Sequence, residues 1–180
     1  MAADRIALDR TRPVFPSPAA LITSIKPDGR PNIITLGEVF NLSISDPVVI
    51  GIAIAPARYS HELISSGMEY VVNLPPADLW EKALACGSCT GREVDKFVQI
   101  GLTPLAATHV KPPLIAECVL NIECKVGKIE CYGDHDLFAG EVLAVHANPG
   151  FCNAQGRLDP AKLSTVVMTG AGFFDLGRKL

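Results

Sequence analysis

Residues 18–40, PAALITSIKPDGRPNIITLGEVF, contain two apolar segments separated by a short turn sequence. Pro27-Asp28-Gly29 combines residue types that favour tight turns, and the isoleucines, threonines and valine on either side favour strands. The pattern predicts a β-hairpin in which Pro18–Lys26 pairs with Asn32–Phe40. The fold class is therefore expected to be mainly β.

Further apolar segments of strand length continue this pattern along the chain. They are Val48–Ala55, Glu69–Asn73, Leu114–Val126, Lys128–Cys131 and Leu137–His146. We expect Val48–Ala55 to pair beside the hairpin, because neighbouring strands in sequence are often neighbours in a sheet. The Gly170-Ala171-Gly172 stretch near the carboxyl end is expected to be only a flexible turn.

Helical signals interrupt the strands in three places. The first predicted helix starts with Ser60 as its N-cap, the second has Pro76 in its first turn and ends before Gly87, and the third covers Glu93–Ile100. Mostly contiguous strands with helical insertions favour a barrel over a doubly wound parallel sheet, in which strands and helices alternate regularly.

Size and charge limit the possible functions. The 180 residues contain no repeat or linker, which predicts a single domain over 1–180. A net charge of -3, with scattered basic residues, argues against nucleic acid or an anionic membrane as a partner. Segment 1–12 has no apolar stretch typical of a secretory signal, so we expect a cytoplasmic protein.

The cysteines allow two interpretations besides a purely structural one. Cys86 and Cys89 form a C-x-x-C pair, but no second pair has the spacing of a zinc site, so no metal is expected. A structural role is favoured over a dithiol switch because Cys86 ends a predicted helix. Gly87–Gly91 also imitates a nucleophile elbow centred on Cys89, which leaves a cysteine hydrolase as a minor alternative.

Four segments, in the same order along the chain, resemble the flavoredoxin branch of the flavin-reductase-like family. They are PSPAALITS at 16–24, IAPARYS at 54–60, GREVDKF at 91–97 and GDHDLFAGEV at 133–142. The resemblance implies an FMN-binding split barrel, a six-stranded Greek-key antiparallel barrel, that forms a homodimer. It also implies non-covalent FMN near the subunit interface, and small molecules or proteins as electron donor and acceptor.

The resemblance carries over to individual residues whose chemistry suits FMN. Helix starts and cations suit the phosphate, amides and hydroxyls suit the ribityl chain and ring edge, and aromatic rings cover the flavin. The candidates are Asn32, Thr35, Arg58, Ser60, Lys96, His135 and Phe173, with His135 also placed where an electron donor would arrive. Glu38 departs from the family pattern, since an aromatic residue is often found near that position.

The resemblance therefore predicts an FMN-dependent oxidoreductase. It would act either as a flavin reductase that takes hydride from NAD(P)H or as a flavoredoxin-like electron carrier. A non-catalytic FMN-binding protein is the alternative from a different functional class. Composition and periodicity alone support only a β-rich domain with helical insertions.

Overall fold

The structure is a computed structural model that describes residues 5–7, 10 and 13–176. The prediction that there is no secretory signal rests on segment 1–12, and most of that segment lies outside the described residues. The described residues form these strands: β1 Ser17–Pro18, β2 Ala20–Ile25, β3 Pro31–Leu36, β4 Val39–Ser43, β5 Val49–Ile54, β6 Glu69–Leu74, β7 Pro104–Leu105, β8 Leu114–Ile115, β9 Leu120–Tyr132, β10 His135–Ala147, β11 Val166–Thr169 and β12 Gly172–Asp175. The helices are α1 Tyr59–Gly67, α2 Trp80–Ser88 and α3 Lys96–Ile100.

One antiparallel sheet contains seven of these strands, in the order β3-β2-β6-β9-β10-β5-β4. Its two edge strands, β3 and β4, are consecutive in the chain and are separated only by Gly37 and Glu38. Because two residues cannot cross the width of a flat sheet, the sheet must curl until its edges approach each other. The predicted mainly β barrel is therefore confirmed, and chain connectivity closes its seam.

The predicted number of six strands is not confirmed, since the described sheet has seven. The predicted strand Asn32–Phe40 divides at Gly37 into β3 and β4. Gly37 lies so close to the side chains of Met168 and Ser17 that a Cβ there would overlap them. The break in the strand is thus the place where the two edges of the sheet turn toward each other.

The position predicted for Val48–Ala55 is correct only in part, because the segment pairs with Val39 and Phe40 at the end of the predicted strand Asn32–Phe40 but not with β2 or β3. This segment forms β5, which pairs with β4 and β10, whereas β6 occupies the place beside the β2–β3 hairpin. Helix α1 follows β5 and carries the chain to the other side of the hairpin before β6 begins. The sequence neighbours β4 and β5 do pair, and helix α1 lets the next strand, β6, pair with β2 instead of with β5.

The predicted strands Leu114–Val126 and Lys128–Cys131 are divided differently in the structure. Leu114–Ile115 forms β8, and a single long strand, β9, runs through Gly127 to Tyr132. Gly127 has no partner in the ladder, because Val126 pairs with Gly140 and Lys128 with Ala139. The glycine that suggested a strand end is therefore a β-bulge in a continuous hairpin.

The barrel interior is filled by apolar side chains from alternate strand positions. Ile22, Ile52, Tyr70 and Phe138 are completely buried there. Tyr70 donates a hydrogen bond from its hydroxyl to the carbonyl of Ile50 over 2.9 Å, which satisfies the polar end of the ring. Burial raises the pKa of Tyr70 far above its ordinary value.

A second apolar cluster lies outside the barrel, beneath the helices. Leu21 and Ile33 project from the other face of β2 and β3 and pack with Ala83, Cys86 and Phe97 of α2 and α3. Strand β2 is therefore buried on both faces, which explains its continuous apolar sequence. The same packing holds α2 and α3 beside β3, where the candidate site is found.

All three predicted helices are present, with changed starting points. α1 begins at Tyr59, so Ser60 is its second residue and the prediction of Ser60 as N-cap is wrong. α3 begins at Lys96 because the Asp95 carboxylate accepts a hydrogen bond from the Val98 amide and caps the helix. Within the described ranges, no helix is both long and apolar enough to cross a membrane.

The carboxyl-terminal region contains a hairpin that the sequence did not predict. Gly170-Ala171-Gly172 was expected to be only a turn, and it connects β11 to β12. Strand β11 also pairs with β1, so the hairpin is fixed next to the amino-terminal strand. This places Phe173 of β12 near Gly37 and Glu38, which join the two edge strands of the barrel.

Candidate functional site

A cavity of about 960 Å³ lies beside β3, at the start of α1 and the end of α2. The turn of the β9–β10 hairpin and the β11–β12 hairpin complete its walls. Its volume is that of a site for a cofactor-sized molecule. Every predicted site residue lines it: Asn32, Thr35, Arg58, Ser60, Lys96, His135 and Phe173. Their proximity is a finding of the structure, while their roles in binding stay predictions.

Asn32 of β3 forms the inner wall with a buried amide. Its Nδ2 donates to Ser60 Oγ over 2.8 Å and to Ser24 Oγ over 3.3 Å. Its Oδ1 is buried and has no hydrogen-bond partner among the described residues. Because an unsatisfied buried acceptor is costly, this oxygen is suited to a ligand that brings a hydrogen-bond donor.

Gly91 lies against the same amide oxygen. A Cβ at residue 91 would overlap Asn32 Oδ1. Tyr59 also approaches this position, with its ring 3.7 Å from where that Cβ would be. Sequence reasoning included Gly91 in a motif but assigned it no role, since the close approach of β3 is visible only in three dimensions.

Ser60 contributes a hydroxyl that accepts the Asn32 hydrogen bond, so its own proton remains available for a ligand. The residue at the N-cap is Arg58, whose extended backbone precedes the helix without a side-chain cap. Arg58 lines the cavity and brings a permanent positive charge to the amino-terminal end of α1. Together they make this wall suitable for an anionic or polar group.

Lys96 has a buried ammonium that joins two elements of the wall. It is 4% exposed, and its Nζ donates to the carbonyls of Ile33 over 2.8 Å and Cys86 over 2.6 Å. Burial lowers the pKa of Lys96, and the neighbouring Cys89 and Cys86 thiols oppose that effect. An ammonium has three donors, so one N–H remains for the cavity.

Thr35 lies between Asn32 and the end of β3. Its hydroxyl donates to the carbonyl of Ala83 over 2.5 Å, which fixes α2 against β3. The hydroxyl oxygen keeps acceptor capacity toward the cavity. Gly87 of α2 lies close to the Thr35 side chain as well, since a Cβ there would be 3.4 Å from Thr35 Cβ.

His135 and Phe173 form the outer part of the cavity. His135 begins β10, and its Nδ1 lies 2.9 Å from Asp134 Oδ1 while its side chain stays 30% exposed. Phe173 pairs with Met168 across the β11–β12 hairpin, and both residues line the cavity. This side of the cavity therefore offers an accessible imidazole and an apolar surface.

Tyr59 was missed by sequence reasoning. The guanidinium of Arg92 lies over its ring, 4.2 Å from the centroid, and also pairs with the Glu62 carboxylate over 2.5 Å. Such a contact between a cation and an aromatic face stabilises the ring orientation. The signal in the sequence was the IAPARYS segment itself, in which an aromatic residue precedes the predicted helix.

The C-x-x-C cysteines occupy different environments. Cys86 is buried, and burial raises its pKa to about 12, which makes it unreactive at neutral pH. Cys89 lines the cavity, and its thiol donates to the carbonyl of Ala85 over 3.5 Å. Cys89 follows helix α2, whereas a nucleophile elbow requires a strand before the nucleophile. The geometry therefore does not favour the hydrolase alternative.

Comparisons with known proteins give a consistent result. Residues 11–160 match the model of the family described as "Flavin reductase like domain". An uncharacterized protein of Archaeoglobus fulgidus is 38% identical over 130 residues, which is 72% of each chain. NADH:riboflavin 5'-phosphate oxidoreductase of Streptomyces pristinaespiralis is 25% identical over 146 residues, covering 81% of this chain and 74% of that protein.

A solved structure is similar over nearly the whole chain. The flavoredoxin of Methanosarcina acetivorans superimposes with a TM-score of 0.88 at 25% sequence identity. The alignment covers 99% of this chain and 94% of that one. The β11–β12 hairpin lies beyond the residues matched by the family model, so the structural similarity extends further than the sequence match.

Proposed function

The chain belongs to the flavin reductase-like family, and we propose that it binds FMN non-covalently in the 960 Å³ cavity and transfers electrons through it. A flavin-binding oxidoreductase is the functional class that the family and the related proteins support. FMN as the particular flavin, its ligands and its redox partners are the proposed parts. We also propose that residues 1–180 act as one domain.

The observation that carries the proposal is the unpartnered amide oxygen of Asn32. Phosphate oxygens accept hydrogen bonds, so this buried acceptor does not suit a phosphate. A ribityl hydroxyl or the N–H of a flavin ring edge would satisfy it. The amide is held in place by Ser24 and Ser60, which pre-orients the acceptor. The inner wall therefore fits the polar but uncharged parts of FMN.

Three residues supply what the charged parts of FMN need. Arg58 and the amino-terminal end of α1 favour an anion, and Ser60 adds a hydroxyl donor. The Lys96 ammonium places a second positive charge at the wall, with one N–H left after its two carbonyl contacts. Positive charge at this wall also stabilises negative charge that develops on a reduced ligand.

When bound, FMN supplies the ring atom that receives an electron pair from a donor and passes it to an acceptor. The chain supplies placement and access. Ile54 and Phe173 give an apolar surface for a planar ring, while His135 lies at the exposed side, where a donor could meet it. For the donor we propose NAD(P)H, supported by the NADH named for the Streptomyces relative, or a protein in a flavoredoxin-like role.

A second copy of the chain is the proposed partner for an exposed apolar face. Phe40, Leu42 and Ile44 on and after edge strand β4 are 45%, 46% and 84% exposed. A row of exposed apolar side chains on an edge strand is a liability unless another surface covers it. β4 lies at the barrel seam next to the cavity-lining Gly37 and Glu38. We therefore propose a homodimer with the cofactor near its interface, in the cytoplasm.

Anaerobic titration of the purified protein with FMN tests the proposal. Saturable binding, with flavin absorption near ~450 nm that follows the protein, is expected. Rapid loss of that absorption on mixing with NADH or NADPH would identify a reductase. Binding without such a loss would favour an electron carrier or the non-catalytic FMN-binding alternative. A protein that fails to bind FMN would refute the proposal.

A further inference from the structure

A largely buried, hydrogen-bonded pair of side chains lies behind the cavity and joins two of its walls. His61 Nε2 is 2.8 Å from Asp136 Oδ2, and the two side chains are only 16% and 19% exposed. His61 is the third residue of α1, and Asp136 is the second residue of β10. Neither is among the residues that line the cavity.

The chain neighbours of this pair do line the cavity. Ser60 precedes His61 and accepts the hydrogen bond from Asn32, while His135 precedes Asp136 at the hairpin turn. β5 ends at Ile54, which is opposite Asp136, so the turn extends beyond the ladder on that side. The His61–Asp136 pair therefore connects the turn to α1 at the point where pairing with β5 stops.

The orientation of the pair is set by a second contact. The His61 ring meets the Phe138 ring edge to face, with centroids 5.1 Å apart and planes at 79°. Phe138 is completely buried and lies two residues after Asp136, on the same face of β10. One strand thus supplies both the carboxylate and the ring that hold His61.

The carboxylate has a further neighbour that keeps it ionised. Cys131 is opposite Asp136 in the β9–β10 ladder. The hydrogen bond from His61, and then the nearby Cys131 thiol, lower the pKa of Asp136. An ionised carboxylate is the stronger acceptor, so the link to His61 persists at neutral pH.

We propose that His61 and Asp136 are a positioning pair, which holds the turn carrying His135 against the start of α1 carrying Ser60. The pair touches no ligand and acts through those two neighbours. The expected effect of the pair on FMN binding rests on the proposed function. Its expected effect on the conformational order of the turn does not. In its absence, the cavity has to be ordered by the ligand, which weakens binding.

Two substitutions of His61 distinguish the contribution of its hydrogen bond to Asp136 from that of its packing against Phe138. His61→Phe keeps an aromatic ring against Phe138 and removes the donor, while His61→Gln keeps an amide donor near the position of Nε2. Lys128→Met is the matched control, because it breaks an exposed ion pair with Glu130 in the same hairpin. Two quantities are measured for each variant. One is the affinity for FMN, and the other is the amide hydrogen exchange of residues 133–135 in the protein without FMN.

For His61→Phe we expect about tenfold weaker FMN binding and about tenfold faster amide exchange at the turn. Both changes are expected because the variant loses one hydrogen bond to a charged carboxylate. His61→Gln should stay within about threefold of the original chain, and Lys128→Met should match it. Unchanged affinity and exchange in His61→Phe, or a lower melting temperature alone, would overturn the proposal. If His61→Phe does not fold, Asp136→Asn takes its place, with the same losses expected.

The exchange measurement also separates this proposal from the proposed function. If the original chain fails to bind FMN, the proposed function is refuted, and the exchange rates at the turn still decide whether the pair orders it. If the original chain binds FMN and both readouts of His61→Phe equal it, only the positioning pair is refuted.

Discussion

Asn32 and Gly91 are complementary in shape, because the amide oxygen of Asn32 occupies the space in which a side chain at residue 91 would begin. The two residues are on different elements, β3 and the loop between α2 and α3. In this contact the Asn32 oxygen is buried and has no hydrogen-bond partner among the described residues. The geometry of the inner wall therefore depends on a glycine that has no chemistry of its own.

Gly91→Ala should weaken FMN binding at least about tenfold, since the new methyl group must displace the Asn32 amide from its two serine partners. Fluorescence titration with FMN measures the change. Gly67→Ala is the matched control, because nothing lies within 4 Å of its Cβ position. Equal affinities for the two variants would show that the Asn32 orientation does not matter for binding.

Lys96→Met should destabilise the protein by about 2 kcal/mol, because the carbonyls of Ile33 and Cys86 lose their donor. It should also weaken FMN binding or shift the reduction potential of the bound flavin. Urea denaturation and FMN titration measure the two effects. Lys82→Met is the control, since Lys82 donates to the Gly101 carbonyl away from the cavity.

If Lys96→Met loses stability and binds FMN as the original chain does, the role of Lys96 is restricted to holding β3 and α2 together. The control should retain both the affinity and the potential. If the reduction potential of bound FMN changes equally in Lys96→Met and Lys82→Met, the change is a general effect of removing one positive charge.

Glu123 makes the stability of the barrel depend on pH. Its carboxylate accepts from the amides of Thr108 and His109 over 2.9 and 2.6 Å and lies 2.6 Å from His146 Nε2. Burial raises the pKa, but these hydrogen bonds outweigh it and lower the pKa from 4.5 to about 2. Because folding lowers this pKa, Glu123 contributes its full share to the free energy of unfolding above pH 4.5. That contribution is lost as the pH falls toward about 2.

The expected loss across that range is on the order of 2–3 kcal/mol, measured by urea denaturation at several pH values. Glu123→Gln should be less stable at neutral pH and should show a flatter dependence over the same range. An identical pH dependence in the original chain and the variant would show that another group controls acid stability.

Ile44→Lys should convert the proposed homodimer to a monomer, because it places a charge on the exposed apolar face after β4. Light scattering after gel filtration should then give one chain mass of 19.2 kDa in place of two. Val98→Lys is the control, since Val98 is 80% exposed on α3, compared with 84% for Ile44. A monomeric original chain would refute the homodimer itself.

The local structure was largely predictable from sequence because it depends on interactions a few residues apart. The Pro27-Asp28-Gly29 turn forms between β2 and β3, and Gly101 ends α3 with a positive φ of 70°. The errors arose where distant contacts decide. Ser60 does not cap α1, and Gly37, where the predicted strand breaks, packs against Met168, which is 131 positions later in the chain.

From sequence alone we could predict most of the strands, the presence of three helices and, through four ordered motifs, the family and the candidate site residues from Asn32 to Phe173. How these residues meet depends on contacts between distant parts of the chain. The tertiary structure buries the Lys96 ammonium between two carbonyls and leaves the Asn32 oxygen unpartnered within the described chain. It also brings His61 to Asp136. Turn and helix preferences act over a few residues, whereas the walls of the cavity are elements far apart in sequence, which the fold of the seven-stranded sheet and its helices brings together.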